Sequence, residues 1–425
     1  MRALACIFLC ACSVPPATVP WARSFGATGR ENATSLAEAA DGGVLLAGDT
    51  LSSFSDQGTH PWLVRVTGAG AILWQETLAG KKSETHPVLA ARVGGFIMAA
   101  NTYSDGAGKA DIWVVSLNDD GSVAWQKALG GAFDDLVAGV VARTDGSIDV
   151  FATTSSFGQG NADWLLIRLE ANGTVSSART YGDGDDQHAG GIAHFSDDSV
   201  ILTGDNETLG DSDVAFAAID SKGDLSGATA IGGTGTDTGI AVSTENDSFT
   251  LLASTTSYGA GGEDAWVIGG KHDGTIASQR AFGDTGDDRL VSIRSNWALG
   301  TTTIGSDTQL WLVGLAGGGV VTTEKAYGGT GAEDGAAIGQ APNGDLFLHG
   351  TTRSFGNTGP DFWLARLDSS LDLFQLGKPL TTQHTATNAK PRALTFITSD
   401  ANLADTVTKV MPTLTTGRVM PTVGN

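Results

Sequence analysis

One pattern recurs seven times along this chain, and it leaves few folds open. An aromatic or apolar residue leading into a glycine turn stands at Phe25, Leu78, Leu129, Tyr181, Ile231, Phe282 and Tyr327, at spacings of 53, 51, 52, 50, 51 and 45 residues. A Trp-centred strand follows in each unit, at Trp62, Trp113, Leu165, Ala215, Trp266, Trp311 and Trp363, with the fourth slot degenerate. Residues 21–377 number 357, which is seven units of 51. Self-similarity at a fixed period of this length marks a repeat architecture, in which each unit buries its faces against its neighbours.

Within a unit the pattern alternates with period two and is broken by turn residues, which is strand chemistry. In the unit that starts at Leu129, the turn Gly130-Gly131-Ala132-Phe133-Asp134-Asp135 leads into the small-residue strand Val137–Val141. Asp145-Gly146 signals a hairpin, and Ile148–Thr153, Trp164–Leu169 and Val175–Tyr181 complete the unit. Four strands joined by short turns make one twisted antiparallel sheet. Seven such sheets close radially, so the expected fold is all-β, a seven-bladed β-propeller of four-stranded antiparallel blades. The Gly-rich first strands suit the crowded axis and the Trp column suits the wider gap between blades.

Trp21–Phe25 matches the last strand of a unit although no unit precedes it, so an N-terminal strand is expected to close the final blade. Ser370–Phe374 competes for the same place. Residues 378–425 break the pattern, with 12 Thr and four Pro in 48 residues. Strands are expected there only at Ala393–Thr398 and Thr406–Met411, part of the segment covering a propeller edge and more of it flexible.

The runs Phe282-Gly283-Asp284-Thr285-Gly286-Asp287-Asp288, Asn343-Gly344-Asp345-Leu346-Phe347-Leu348-His349-Gly350-Thr351-Thr352 and Asp361-Phe362-Trp363-Leu364-Ala365-Arg366-Leu367-Asp368 resemble the bacterial and archaeal seven-bladed β-propeller repeat of secreted and surface-anchored proteins. The resemblance spans residues 21–377 and implies the propeller fold and an extracytoplasmic setting. It brings no shared catalytic motif. Ala215 in the Trp column, and His60 and Gln309 in the Asp column before it, depart from the pattern and put local blade packing in question.

All three cysteines, Cys6, Cys10 and Cys12, fall in the first twelve residues, so the body has neither a disulfide nor a thiolate metal site. Arg2 followed by apolar Ala3–Ala11 has the layout of a short secretory signal, and Leu9-Cys10-Ala11-Cys12 is similar to a bacterial lipobox. Residues 1–11 then form a signal peptide, and 12–20 a tether lipid-anchored through Cys12, stable because several acyl chains are buried. The alternative is an ordinary signal cut near Ala17, leaving a secreted or periplasmic protein. Acidic residues outnumber basic ones by 47 to 25, giving a formal charge of −22, which repels nucleic acid and anionic lipid.

Each unit carries an acid near the start of its first strand: Glu31, Glu84, Asp135, Asp186, Asp237, Asp288 and Glu333, with Asp186 placed beside a one-residue deletion. One reading is a ring of oxygen ligands at a channel mouth, suited to calcium. The other is that each acid accepts backbone N–H bonds in its own turn. The second is adopted, because a feature of every blade is what a fold requirement looks like. Asp111, Asp163, Asp213, Asp264 and Asp361 are read the same way. Residues that interrupt the repeat are the better functional candidates: His86 and His188, read as two positions beyond the ring acid, together with Lys81, Lys82, Arg289, Arg294 and Trp297 on a channel or cap surface. No G-x-S-x-G elbow, H-E-x-x-H or phosphate-binding loop occurs. The sequence therefore reads as a non-enzymatic, monomeric cell-envelope lipoprotein whose propeller binds a protein or a glycan. The alternative is a propeller enzyme, a quinoprotein-like oxidoreductase or a polysaccharide lyase or hydrolase.

Overall fold

Alternating strands of this length can satisfy their backbone groups only by pairing, and each pairs with its sequence neighbour in a meander. The computed structural model describes residues 19–27, 29–51, 58–208, 210–356, 359–373, 377–379, 383–387, 389–390, 392–394, 397–401, 403–406 and 411–414. Cys6, Cys10 and Cys12, and with them the signal and the lipid anchor expected from the sequence, lie outside these residues. The described chain forms seven antiparallel sheets arranged as the seven blades of a propeller. The innermost strands are Glu31–Glu38, Glu84–Arg92, Asp135–Ala142, Asp186–His194, Asp237–Glu245, Arg289–Arg294 and Glu333–Gln340, one for each of blades 1 to 7.

The N-terminal strand Trp21–Phe25 pairs antiparallel with Asp361–Leu367 and is the fourth strand of blade 7, so the first residues of the propeller close its last blade. Residues 370–373 do not compete for that place. They form a turn held by Tyr327 Oη, which donates to Leu371 O at 2.7 Å, and by the Lys325–Asp372 ion pair at 2.8 Å.

The core lies between blades. Trp62, Trp113, Trp266, Trp311 and Trp363 are buried in it, at 0–1 % exposure. In blade 3 the Trp slot holds Leu165, and the adjacent Trp164, on the other face of its strand, packs toward blade 4 among Phe151, Tyr181, Ala215 and Ala217. Blade 4 is the one whose Trp slot is Ala215. The indole missing from blade 4 is thus supplied from blade 3 into the same interface, and the departure is compensated.

The glycine after each apolar marker is required by close approach. A Cβ on Gly130, Gly182, Gly232 or Gly283 would lie 1.8–2.0 Å from Oδ1 of Asp111, Asp163, Asp213 or Asp264. Blade 1, whose Asp slot is His60, tolerates Ala79 at that position.

The C-terminal segment departs from expectation. Six short strands, Gly377–Pro379, Gln383–Ala386, Arg392–Leu394, Ile397–Asp400, Ala404–Thr406 and Met411–Leu414, pair antiparallel with the outermost strands of blades 6, 5, 4, 3, 2 and 1 in turn. Each makes its blade five-stranded and covers an edge that would otherwise present unpaired N–H and C=O groups. Strands of three or four residues are too short to show an alternation, which is why sequence reading places only two in this segment.

Candidate functional site

Every inner strand begins on one face of the propeller, here the entry face, and runs to the opposite, exit face. In each blade one buried polar side chain at the start of that strand reaches back to the backbone four residues earlier. Glu31 accepts from Ala27 N (3.1 Å), Glu84 from Gly80 N (2.8 Å), Asp135 from Gly131 N (2.7 Å), Asp237 from Gly233 N (2.8 Å), Asp288 from Asp284 N (2.6 Å) and Glu333 from Gly329 N (2.9 Å). The second carboxylate oxygen accepts a threonine hydroxyl from the neighbouring strand: Thr50 on Glu31 (3.1 Å), Thr154 on Asp135, Thr255 on Asp237 and Thr352 on Glu333 (3.0 Å). In blade 4 this place belongs to Gln187, which accepts from Asp183 N at 3.1 Å and is fully buried, while Asp186 precedes it in a half-buried position. The unit has no deletion there, and the seven acids therefore do not occupy seven equivalent positions.

These acids also join blades. His60 of blade 1 meets Glu84 of blade 2 at 2.8 Å, and Gln309 of blade 6 donates to Glu333 of blade 7 at 3.3 Å. Elsewhere an aspartate takes the same place. Oδ1 of Asp111 and Oδ2 of Asp135 flank Gly130, 2.0 and 2.8 Å from where its Cβ would lie. Burial, and then the neighbouring carboxylates, raise Asp111, Asp237 and Asp264 above the usual carboxylate range, and burial raises Asp135. Among the described residues no group of three or more His, Cys, Asp or Glu side chains is placed to hold a metal ion.

The Gln187 register moves His188 as well. It lies one position past the buried slot, in line with Asn32, Thr85, Leu136, Thr238, Arg289 and Asp334, and together these make a ring of exposed and half-buried side chains on the entry face. His86 lies two positions past its slot and lines the channel instead. The two histidines are therefore at different levels, whereas His188 and Arg289 share one. His188 Nδ1 is 3.3 Å from Asp205 Oδ2, and that hydrogen bond raises its pKa. Lys81 and Lys82 are exposed on the same face. The connections between second and third strands there are eight or nine residues long in five blades but only two, 209–210 and 305–306, in blades 4 and 6. The two blades that carry His188 and Arg289 therefore have the shortest connections on this face.

Arg294 and Trp297 lie at the other end. Arg294 pairs with Glu38 through Nε and Nη2 at 2.8 and 2.5 Å, joining the ends of the inner strands of blades 6 and 1, while Gln340 N of blade 7 donates to the same carboxylate at 2.5 Å. Trp297 covers Gly314, whose Cβ would lie 3.0 Å from the indole, and is part of the packing between blades 6 and 7. The candidate residues thus divide between two faces. The channel that joins them has a volume of about 870 Å³ and is lined largely by small and aliphatic residues such as Ala33, Ala138 and Val291.

Two acids, the half-buried Asp49 and the buried Asp149, escape sequence reading. Asp49 accepts the backbone N–H of His86 at 3.0 Å, where blade 2 carries a two-residue bulge and His86 a φ of 57°. Burial raises its pKa to about 6, against the lowering effect of that hydrogen bond. Equivalent side chains accept from the next blade at four further interfaces: Thr351 from Ala33 N (2.9 Å), Asn101 from Val137 N (2.8 Å), Thr153 from Ala189 N (2.8 Å) and Thr301 from Gly335 N (3.0 Å). Aligning the repeats on their second strands, rather than on the first, makes this column visible. Asp149 is wholly buried near the exit face, and although burial opposes it, His194, Arg168 and Arg143 hold its carboxyl down at about 2.

No family model and no curated protein matches the chain. Solved structures resemble it at low identity. A protein of unknown function from Dyadobacter fermentans is 11 % identical, with 82 % of this chain and 98 % of that one covered and a TM-score of 0.47. Sqt1 from Chaetomium thermophilum is 13 % identical, covering 77 % and 82 %, with a TM-score of 0.43. An α-L-arabinanase of Penicillium chrysogenum complexed with arabinobiose is 9 % identical, covering 84 % and 100 %, with a TM-score of 0.49.

Proposed function

We propose that this β-propeller is a binding module that presents its entry face to a protein or a glycan, and that it is held at the cell envelope through a lipid on Cys12. One observation carries the binding reading. The buried slot of every inner strand repeats acid or amide chemistry, while the next residue, on the face, changes from blade to blade: Asn32, Thr85, Leu136, His188, Thr238, Arg289, Asp334. A constant scaffold under a varied ring is the arrangement by which a rigid fold carries recognition on its surface. The centre of that surface is the pair His188 and Arg289, on the two blades with the shortest connections. Partner capture from envelope extracts and from a glycan array tests it. The double variant His188→Ala, Arg289→Ala, whose side chains are exposed, is expected to keep its melting temperature and lose the capture. Capture unchanged in that variant refutes the placement. The anchor is tested separately by mass spectrometry of the native N-terminus, where a lipid-free peptide beginning at or beyond Thr18 refutes it.

A further inference from the structure

The Asp column of one blade meets the buried slot of the next at a fixed atom, the oxygen that accepts the backbone N–H four residues earlier. At two of these joints the column supplies a hydrogen-bond donor: His60 Nδ1 stands 2.8 Å from Glu84 Oε2, and Gln309 Nε2 donates to Glu333 Oε2 at 3.3 Å. At a third, Asp213 has a cation beside it, Arg392 Nη2 at 3.3 Å from its Oδ2. Asp111, Asp163 and Asp264 are each 1 % exposed and are placed differently. Their Oδ2 atoms accept turn N–H groups, from Gly108 (3.1 Å), from Gln159 and Gly160 (2.9 and 3.1 Å), and from Ala260 and Gly261 (3.1 and 3.2 Å). Their buried Oδ1 atoms have no hydrogen-bond partner, and each lies by Asp135 Oδ2, Gln187 Oε1 or Asp288 Oδ2 at the Cβ position that Gly130, Gly182 or Gly283 lacks. Two acceptor oxygens set together out of water, with no donor between them, are costly while the aspartate is ionised.

We propose that a proton taken up from solvent supplies the missing donor: Asp111, Asp163 and Asp264 carry it on Oδ1 and donate it to the next blade, so the joints between blades 2 and 3, 3 and 4, and 5 and 6 tighten on acidification and loosen as pH rises. The charged groups around these joints favour the proton. Asp134 and Asp135 act on Asp111, Asp183 and Asp186 on Asp163, and Asp284 and Asp288 on Asp264. Across the second strand of the same blade stand Glu84, Asp135 and Asp237 in turn. The cations beside the joints, Lys109 and Arg289, are engaged by Asp134 at 4.0 Å and Glu263 at 3.7 Å. Burial, and with it the neighbouring acids, raises all three aspartates above the usual carboxylate range. Folding therefore favours the protonated form, whose contribution is complete below 3.8 and is lost as pH rises through the raised value.

Asparagine supplies a donor at every pH, and its Oδ1 can keep the turn N–H groups. The full chain is compared with the triple variant Asp111→Asn, Asp163→Asn, Asp264→Asn by thermal unfolding at pH 4 and pH 8, with a chelator present. The triple variant is expected to melt above wild type at pH 8 and together with it at pH 4. A gap of the same size at both pH values, or none at pH 8, overturns the proposal. Asp213→Asn controls for the loss of one negative charge, because Asp213 already has Arg392, and it is expected to raise the melting temperature at neither pH. A gain at pH 8 equal to that of Asp264→Asn alone would make the effect one of net charge and also overturns it. Carboxyl resonances of the wild type, labelled with ¹³C in its aspartates, give a second readout. The three signals, each assigned by its loss in a single Asn variant, are expected to titrate at least about one unit above 3.8. Titration of all three at or below 3.8 overturns the assignment of the proton to these side chains.

Discussion

Asp49→Asn should make the protein more stable above neutral pH, and the structure says by how much. The carboxyl of Asp49 is desolvated at the interface of blades 1 and 2, and its pKa rises from 3.8 to about 6. A raised pKa in the folded state means that folding favours the protonated acid. Its stabilising contribution is complete below 3.8 and is lost as pH rises through about 6. Two units at about 1.4 kcal/mol each give ~3 kcal/mol of destabilisation at pH 8, and partial access of water to the side chain brings the expectation to ~1–2 kcal/mol. Asparagine removes the charge and keeps the acceptor that the His86 N–H requires, as Asn101 does for Val137 one blade on. Denaturant unfolding of both proteins at pH 8 and pH 4 reads the difference directly. Comparing the pair is essential, because wild-type stability also follows groups of opposite sign, such as buried His349, which burial pulls down to about 4 and which therefore costs stability as pH falls below 6.5. A variant no more stable than wild type at pH 8, or equally stabilised at pH 4, refutes the reasoning.

Trp164→Ala should cost about 3–5 kcal/mol, the usual loss for a buried indole, and Ala215→Trp combined with Trp164→Leu should recover part of it by restoring the Trp column; thermal or denaturant melts of the three proteins check this. Asp135→Ala and Asp237→Ala should each cost roughly 1.5–3 kcal/mol through lost bonds to a charged acceptor, equally in calcium and in chelator, whereas a calcium-dependent rise in wild-type melting temperature would restore the cation-ring reading.

The fold is legible in the sequence because its signals are local and repeated. Seven apolar markers, seven hairpin units and an orphan strand at Trp21–Phe25 each state a pairing that the neighbouring residues must satisfy. What escapes depends on relations between distant segments. Trp164 and Ala215 look like two unrelated defects in a column until the interface of blades 3 and 4 brings them together. Asp186 matches the acid pattern by residue type, but the slot is defined by a bond to the backbone four residues earlier, which Gln187 makes as well as a carboxylate does. Residue type therefore misplaces the register by one, and in a strand one residue changes the face. That slip groups His188 with His86, when it belongs with Arg289.

The tail shows the same limit from the other side. Its ladder uses main-chain groups, and the facing residues Lys378, Arg392 and Ser399 share no chemistry, so nothing in their identity announces a strand. Only the partner strands disclose that the segment visits one blade after another. The candidate surface has an intermediate character. Its scaffold can be read from the sequence because every blade must solve the same problem of capping an inner strand, and each solves it with an acid or an amide. The residues above that cap answer to no common requirement of the fold, which is why they vary. That freedom is also what qualifies them for recognition, since only positions the fold leaves unconstrained can be fitted to a partner without loss of the ring.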